Sequence, residues 1–290
     1  MWVAQGAGSA AFESLLNAAS HSIGTRWSTE MIAWWTRITT ALVVTVFALC
    51  WRGAWPEIPM SARFWIPAVV SITLNTATAL LYVRALRSDL SLIMPITALS
   101  PVFLLVSEPI MTGHFVPVTG MLGVAVIAFG LYMQDTSVLR THGWLGPFKA
   151  MWRAQGPRLM LIVVVIWAVT APCDKMAVSV CDPLWYSVIL HGGIALLLTP
   201  VLFRQSSKSA VPVRGAWRLG GLGLLAAAAS VCQMTALAVA PATYVIALRR
   251  FSAPLSVAWD WLIFKKPHVR ARLLGTIIMT VGAAILLLSL

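Results

Sequence analysis

Long apolar runs, broken by short stretches rich in proline and basic residues, divide the chain into ten segments. They lie at 3–21, 31–51, 64–84, 91–110, 118–134, 158–173, 184–203, 218–239, 242–264 and 273–290. A helix needs about 20 apolar residues to cross the hydrocarbon core of a bilayer. Each segment therefore predicts a membrane-spanning helix. The first is the most polar, since Gln5, Glu13, Ser14 and Asn17 interrupt it, and the sixth has room to run on to residue 178. Most links are short, and Pro56, Pro59, Pro117, Pro183, Pro212 and Pro267 punctuate them. The longest, 135–157, contains a mildly amphipathic stretch at 147–153 that suits a membrane surface.

The polar positions repeat. Glu108 is followed at 15 and 22 residues by Gly123 and Gly130, and Asp260 at the same distances by Gly275 and Gly282. Ala85 to Pro101 and Ala238 to Pro254 both span 16 residues, as do His21 to Arg37 and Lys175 to His191. Apolar matches would carry no weight in so apolar a chain, but proline, glycine and ionisable residues are scarce in it. The pattern predicts a tandem duplication, with one repeat at 1–134, a link at 135–157 and a second repeat at 158–290. Five helices per repeat is an odd number, so the second repeat must sit upside down relative to the first. The predicted fold is an all-α polytopic membrane protein of ten transmembrane helices in two inverted five-helix repeats.

Composition sharpens this class. Of 290 residues, 59% are hydrophobic and 10% charged, against about a quarter charged in soluble domains. Residues 1–8 lack the basic region of a cleavable signal peptide. The net charge of +12 does not read as nucleic-acid binding, because the basic residues sit in short loops between apolar segments. Loops and adjoining segment ends after odd-numbered segments carry fifteen Lys and Arg, and those after even-numbered segments carry three. Basic residues favour the cytoplasmic side, so the count predicts that both termini are periplasmic. The four cysteines form no CxxC pair, and neither a metal site, a cofactor site nor a disulfide framework is expected. Without a nucleophile–base pair or a phosphate loop, enzymatic activity is not expected either.

Residues 81–123 carry an Ala-Leu pair, an apolar run, Pro101, Glu108 seven residues on, then glycines. Residues 236–288 repeat the order with Pro254 and Asp260, and add the basic–aromatic–serine run Arg250–Phe251–Ser252. This arrangement resembles the EamA-type repeat of the drug/metabolite transporter superfamily. It departs from that pattern at Asp260, where a Glu a few residues later is more usual. The resemblance implies a ten-helix carrier in a bacterial inner membrane, a central cavity between repeats, export, and cytoplasmic termini. The last point opposes the loop charges.

Ionisable groups inside spanning helices are costly and ask for a reason. Glu13 lies near the middle of the first segment and resembles the proton-binding acid of the small multidrug resistance proteins. Arg37 and His191 occupy equivalent positions in the two repeats and suit a basic pair that holds an anionic group. Arg249, with Arg250 beside it, shares a helical face with Ala253, Ser256 and Asp260. Asn75 and Gln233 are isolated amides that should face inward. Glu13, Arg37, Asn75, His191, Gln233 and Arg249 are thus the expected substrate and coupling residues. Glu108 and Asp260 read better as capping or pairing groups at helix ends.

The function expected is secondary transport, by alternating access, of a small polar or amphiphilic metabolite such as an amino or organic acid, with proton coupling at Glu13. A flippase for a lipid or lipid-linked sugar phosphate is one alternative, and a non-transporting accessory protein is another. The expected partners are a small-molecule substrate and membrane lipids, not nucleic acid, with the chain acting as a monomer or homodimer.

Overall fold

A computed structural model describes residues 1–23, 28–55, 57–86, 96–133, 143–144, 155–205, 216–252, 255 and 269–288. Ten helices lie among them: α1 (Trp2–Ile23), α2 (Thr29–Arg52), α3 (Ala62–Leu86), α4 (Leu99–Thr112), α5 (Val118–Tyr132), α6 (Gln155–Val178), α7 (Pro183–Gln205), α8 (Ala216–Val239), α9 (Ala242–Arg249) and α10 (Val269–Leu288). They follow the ten apolar segments in order. The surface stretch 147–153 and most of the later part of the ninth segment, with Pro254, Ser256 and Asp260, lie outside the described residues.

Five of these helices contain spans long and apolar enough to cross a membrane: Glu30–Arg52, Ala62–Tyr82, Gln155–Val178, Pro183–Phe203 and Leu219–Val239. Leu99–Thr112, Val118–Tyr132 and Leu274–Leu288 are shorter apolar helices. The described residues are thus helical wherever they form regular structure, and the protein is a multi-pass membrane protein. α1 is absent from the five for the reason its sequence gave, a run diluted by Gln5, Glu13 and Ser14. The sixth helix uses the room its segment has beyond residue 173 and continues through Asp174 and Lys175 to Val178. Lys175 stands in the last turn of α6, and its Nζ donates to the carbonyls of Leu237 (2.7 Å) and Ala238 (3.4 Å) at the end of α8. A cation at that end complements the helix dipole.

The described chain forms two compact units, Met1–Leu80 with Cys173–Val239, and Leu81–Pro172 with Ala240–Leu290. Each draws on both halves of the sequence. In the first unit α1 packs on α8, α2 on α7 and α8, and α7 on α8. α2 and α7 run antiparallel: Trp34 Nε1 near the start of α2 donates to Thr199 late in α7, and Arg52 at the end of α2 meets Asp182 just before α7. Asp182 also caps α7, since its Oδ1 accepts from Leu184 N at 2.9 Å.

In the second unit α10 packs on α5, α9 on α4 and α5, and α4 on α5. The α5–α10 contact is made of backbone. A Cβ at Gly130 would stand 2.6 Å from Met279 N and 2.8 Å from Gly275 O, and one at Gly282 would stand 2.6 Å from Ile127 N and 2.9 Å from Gly123 O. Only glycine lets the helices approach so closely, and the close approach supplies the dispersion attraction that lipid tails cannot otherwise favour. The early residue of each helix meets the late residue of the other, so α5 and α10 also run antiparallel. An apolar cluster of Ala85, Ile96, Met160, Val163 and Val164 fills another part of this unit. Pro172 lacks an N–H, which leaves the Ala168 carbonyl without its helical donor. Ser107 of α4 supplies one, with Oγ donating to Ala168 O at 2.6 Å.

Candidate functional site

The first unit encloses two polar networks. α2 places Arg37 opposite His191 of α7, with Nη1 2.9 Å from the imidazole Nδ1. A guanidinium has no acceptor, so it donates and Nδ1 must be unprotonated. His191 is then the neutral Nε2–H tautomer, and Nε2 donates to Ser230 Oγ of α8 at 2.8 Å. Ser230 Oγ lies 2.7 Å from Ser187 Oγ, one turn before His191 on α7. Ser187, His191 and Ser230 are buried. Three helices thus converge on one chain of groups that begins at a fixed positive charge and ends at a hydroxyl.

The second network centres on Asp174, which is buried. Its Oδ1 accepts from Ser71 Oγ of α3 at 2.5 Å and from Tyr186 Oη of α7 at 2.6 Å. Asn75, one turn after Ser71, donates to Ser71 Oγ at 3.0 Å. Phe64 packs edge-on against Tyr186. Charge-assisted hydroxyl bonds of this length are the strong kind, so the carboxylate and its donors fix the three helices together. Tyr186 precedes Ser187, so neighbouring residues of α7 serve the two networks.

The second unit holds its polar groups differently. α9 begins after Pro241, whose side chain offers no cap. Glu108 of α4 does this work. One oxygen accepts from Ala242 N at 2.6 Å, and the other accepts from Thr243 N at 2.7 Å and from Thr243 Oγ1 at 2.6 Å. The buried carboxylate satisfies N–H groups that a helix start leaves open and faces the positive end of its dipole. Arg250, at the end of α9, donates to Ser100 Oγ from Nε at 2.9 Å and lies 5.1 Å from the centre of the Trp167 ring. Trp167 in turn packs on Tyr82.

Of the residues singled out by sequence, Glu13, Arg37, Asn75, His191 and Gln233 belong to the first unit and Arg249 to the second. The structure joins Arg37 to His191. It joins Asn75 to Ser71 and thus to Asp174. Glu13 is half-buried on α1, Gln233 is buried on α8, and Arg249 is the half-buried last residue of α9. Glu108 does cap a helix, but the helix is α9 rather than its own. Asp260, its sequence counterpart, lies outside the described residues. Sequence reading does not single out Asp174, since its donors Ser71 and Tyr186 lie on other helices. The apolar Met176, Ala177 and Val178 beyond it were the signal that the helix goes on.

Residues 155–288 match the family model of the EamA-like transporter family, consistent with a member of the drug/metabolite transporter superfamily. No curated protein matches the chain significantly. Among solved structures, a crystal structure of a protein superposes with a TM-score of 0.78 at 18% identity, over 99% of this chain and 97% of the other. That likeness concerns the fold alone.

Proposed function

We propose that this membrane protein is a secondary transporter for a small organic anion, such as an amino or organic acid, and that Arg37 holds the anionic group. The match to a transporter family supports transport as the class. The observation that carries the anion is the 2.9 Å contact between Arg37 and His191 inside the first unit. A half-buried guanidinium on a neutral imidazole keeps its full charge, and a carboxylate or phosphate is a better partner for it. A mere scaffold would not need such a charge within a spanning helix.

The two halves act as inverted repeats in this proposal, with alternating access at a site that both supply. Three helix pairs, α2 with α7, α4 with α9 and α5 with α10, each join a segment to its counterpart from the other half. The antiparallel course of α2 with α7 and of α5 with α10 supports the inversion. Loop charges favour periplasmic termini and cytoplasmic links at 135–157, 204–217 and 265–272. Single cysteines placed in those links should resist an impermeant reagent added to intact cells, and rapid labelling there would reverse the orientation.

Transport is tested in vesicles loaded with labelled amino and organic acids. Arg37→Gln should lower flux about tenfold to a hundredfold, as expected for losing a charge-assisted contact. Arg37→Lys should recover only part of it, because an ammonium lacks the planar fork. Full flux of every substrate in Arg37→Gln would end the proposal, and loss confined to labelled lipid phosphates would turn it into a flippase.

A further inference from the structure

We propose that Arg37 and His191 form a joint site for one anion and one proton, so that each monoanion taken up brings a proton onto His191. The inference rests on the anion reading of Arg37. It starts from the hydrogen-bond chain. In the structure Arg37 donates to Nδ1 and Nε2–H donates to Ser230. An anion that takes the Nη1 donor of Arg37 removes it from Nδ1. The lone pair of Nδ1 then faces an oxygen that also brings only lone pairs, deep inside the protein. A buried acceptor left in that state is expensive. A proton on Nδ1 turns the same atom into a charged donor to the anion and leaves the Nε2–H bond to Ser230 as it was.

The balance is simple. Of this pair of side chains, Arg37 alone is charged before the anion arrives. The loaded site holds two cations and one anion, hence again one positive charge. The proton comes from water on the side where the anion enters and leaves with it on the other. Loaded and empty forms therefore carry equal charge across the membrane, and the transport of a monoanion is electroneutral.

The surroundings of His191 are compatible with a titrating role. From α2 the charged group facing it is Arg37, while Glu30 and Arg52 sit at the ends of that helix. α8 presents Ser230, and its Cys232 lies against Gly8 of α1 instead. α3 brings Ile72 against Gly193, with Arg63 and Arg84 near its two ends. From α6, Asp174 is engaged by Ser71 and Tyr186, Lys175 reaches the end of α8, Arg158 is near the helix start, and Cys173 is buried beside Asp174. The competing response of His191 needs no proton from outside. The imidazole would switch to its Nδ1–H tautomer, and Ser230 and Ser187 would reverse their hydroxyls.

Calorimetry on the purified full chain separates the two. Glutamate, succinate and ethanesulfonate are titrated in paired buffers of different ionisation enthalpy, which reads protons taken up per anion bound. The expected result is uptake close to one proton per bound ethanesulfonate, whose own charge is constant. Its affinity should rise about tenfold per pH unit of acidification over the range where uptake is complete. Nitrogen NMR of His191 in the same protein should show the neutral Nε2–H tautomer without anion and the imidazolium with it, which needs no variant to fold. Binding that Arg37→Gln abolishes but that takes up no proton, with His191 neutral throughout, would overturn the inference and leave the anion reading standing. Uptake lost in Glu13→Gln but kept in His191→Gln would also overturn it. Failure of all three anions to bind would remove both.

Discussion

The two compact units solve the same problem, polar groups within apolar helices, in opposite ways. In the first, the Arg37–His191 network is built of groups that can change partner. His191 has two nitrogens that can trade a proton, Ser230 and Ser187 have hydroxyls that can rotate, and Arg37 is held by a neutral ring. In the second, Glu108 and Ser107 are engaged in fixing backbone. Glu108 accepts three bonds at the start of α9, Ser107 fills the gap that Pro172 leaves in α6, and Gly123, Gly130 and Gly282 join α5 to α10 with almost no side chain between. The difference teaches where to look for change. A network that can be rewired without losing bonds is suited to binding and release, whereas one in which each bond closes a helix end is suited to holding shape.

If that contrast is right, substitutions in the second unit should cost stability and those in the first should cost transport. The largest effect belongs to Glu108→Leu, which strands two N–H groups and a hydroxyl. It should destabilise the protein by about 3–5 kcal/mol, as for breaking a buried charged contact. Thr243→Val removes one donor and should cost about 1 kcal/mol. Both are read by unfolding in mixed detergent. A wild-type transition in Glu108→Leu would break the contrast from one side.

Next come the glycines. Gly130→Ala or Gly282→Ala pushes a methyl into the backbone of the facing helix and should cost about 1–3 kcal/mol. Gly220→Ala, where nothing stands within 4 Å of the added carbon, is the control and should unfold like the native protein. Asp174→Asn tests the other side. The amide oxygen still accepts from Ser71 and Tyr186 but without charge, so the stability loss should be about 1 kcal/mol. Flux in the vesicle assay should fall by more than that loss of folded protein explains. A purely proportional fall would put Asp174 with the holding groups and blur the contrast.

The smallest effect is chemical. Cys181 lies between α6 and α7, and burial followed by the nearby Asp182 carboxylate pushes its thiol up to about 11. Since the thiolate is the reactive form, alkylation at neutral pH should be about a hundredfold slower than for an ordinary thiol. The rate should climb with pH until near that value. Cys50 is exposed and should react first, so mass spectrometry after brief labelling should find the adduct there. Equal labelling of the two would contradict the burial.

The helices were legible in the sequence because lipid imposes a length and an apolar composition that few other structures share. The counterpart spacing also marked Arg37 and His191 together, and they touch. What spacing could not give was the third dimension. It placed Glu108 near a helix end but could not show that the end belonged to α9, because that depends on which helices pack side by side. It passed over Asp174, since a charge at the edge of an apolar run looks like a boundary until its donors on α3 and α7 are seen. Ser187 and Ser230 carry no sequence signal, as serines in spanning helices usually bond to their own backbone.

The cap that Glu108 provides joins groups 134 and 135 residues apart. Ribosomes release α4 long before α9 exists, so the first part of the chain enters the membrane with a carboxyl whose intended donors have not yet been made. The clasp can close only near the end of synthesis. Contacts between such distant parts form late and set the pace of assembly. α4 therefore waits, and the arrival of Pro241, Ala242 and Thr243 acts as the signal that the bundle is complete. A chain truncated before residue 240 should carry an unclasped helix that quality-control proteases can recognise.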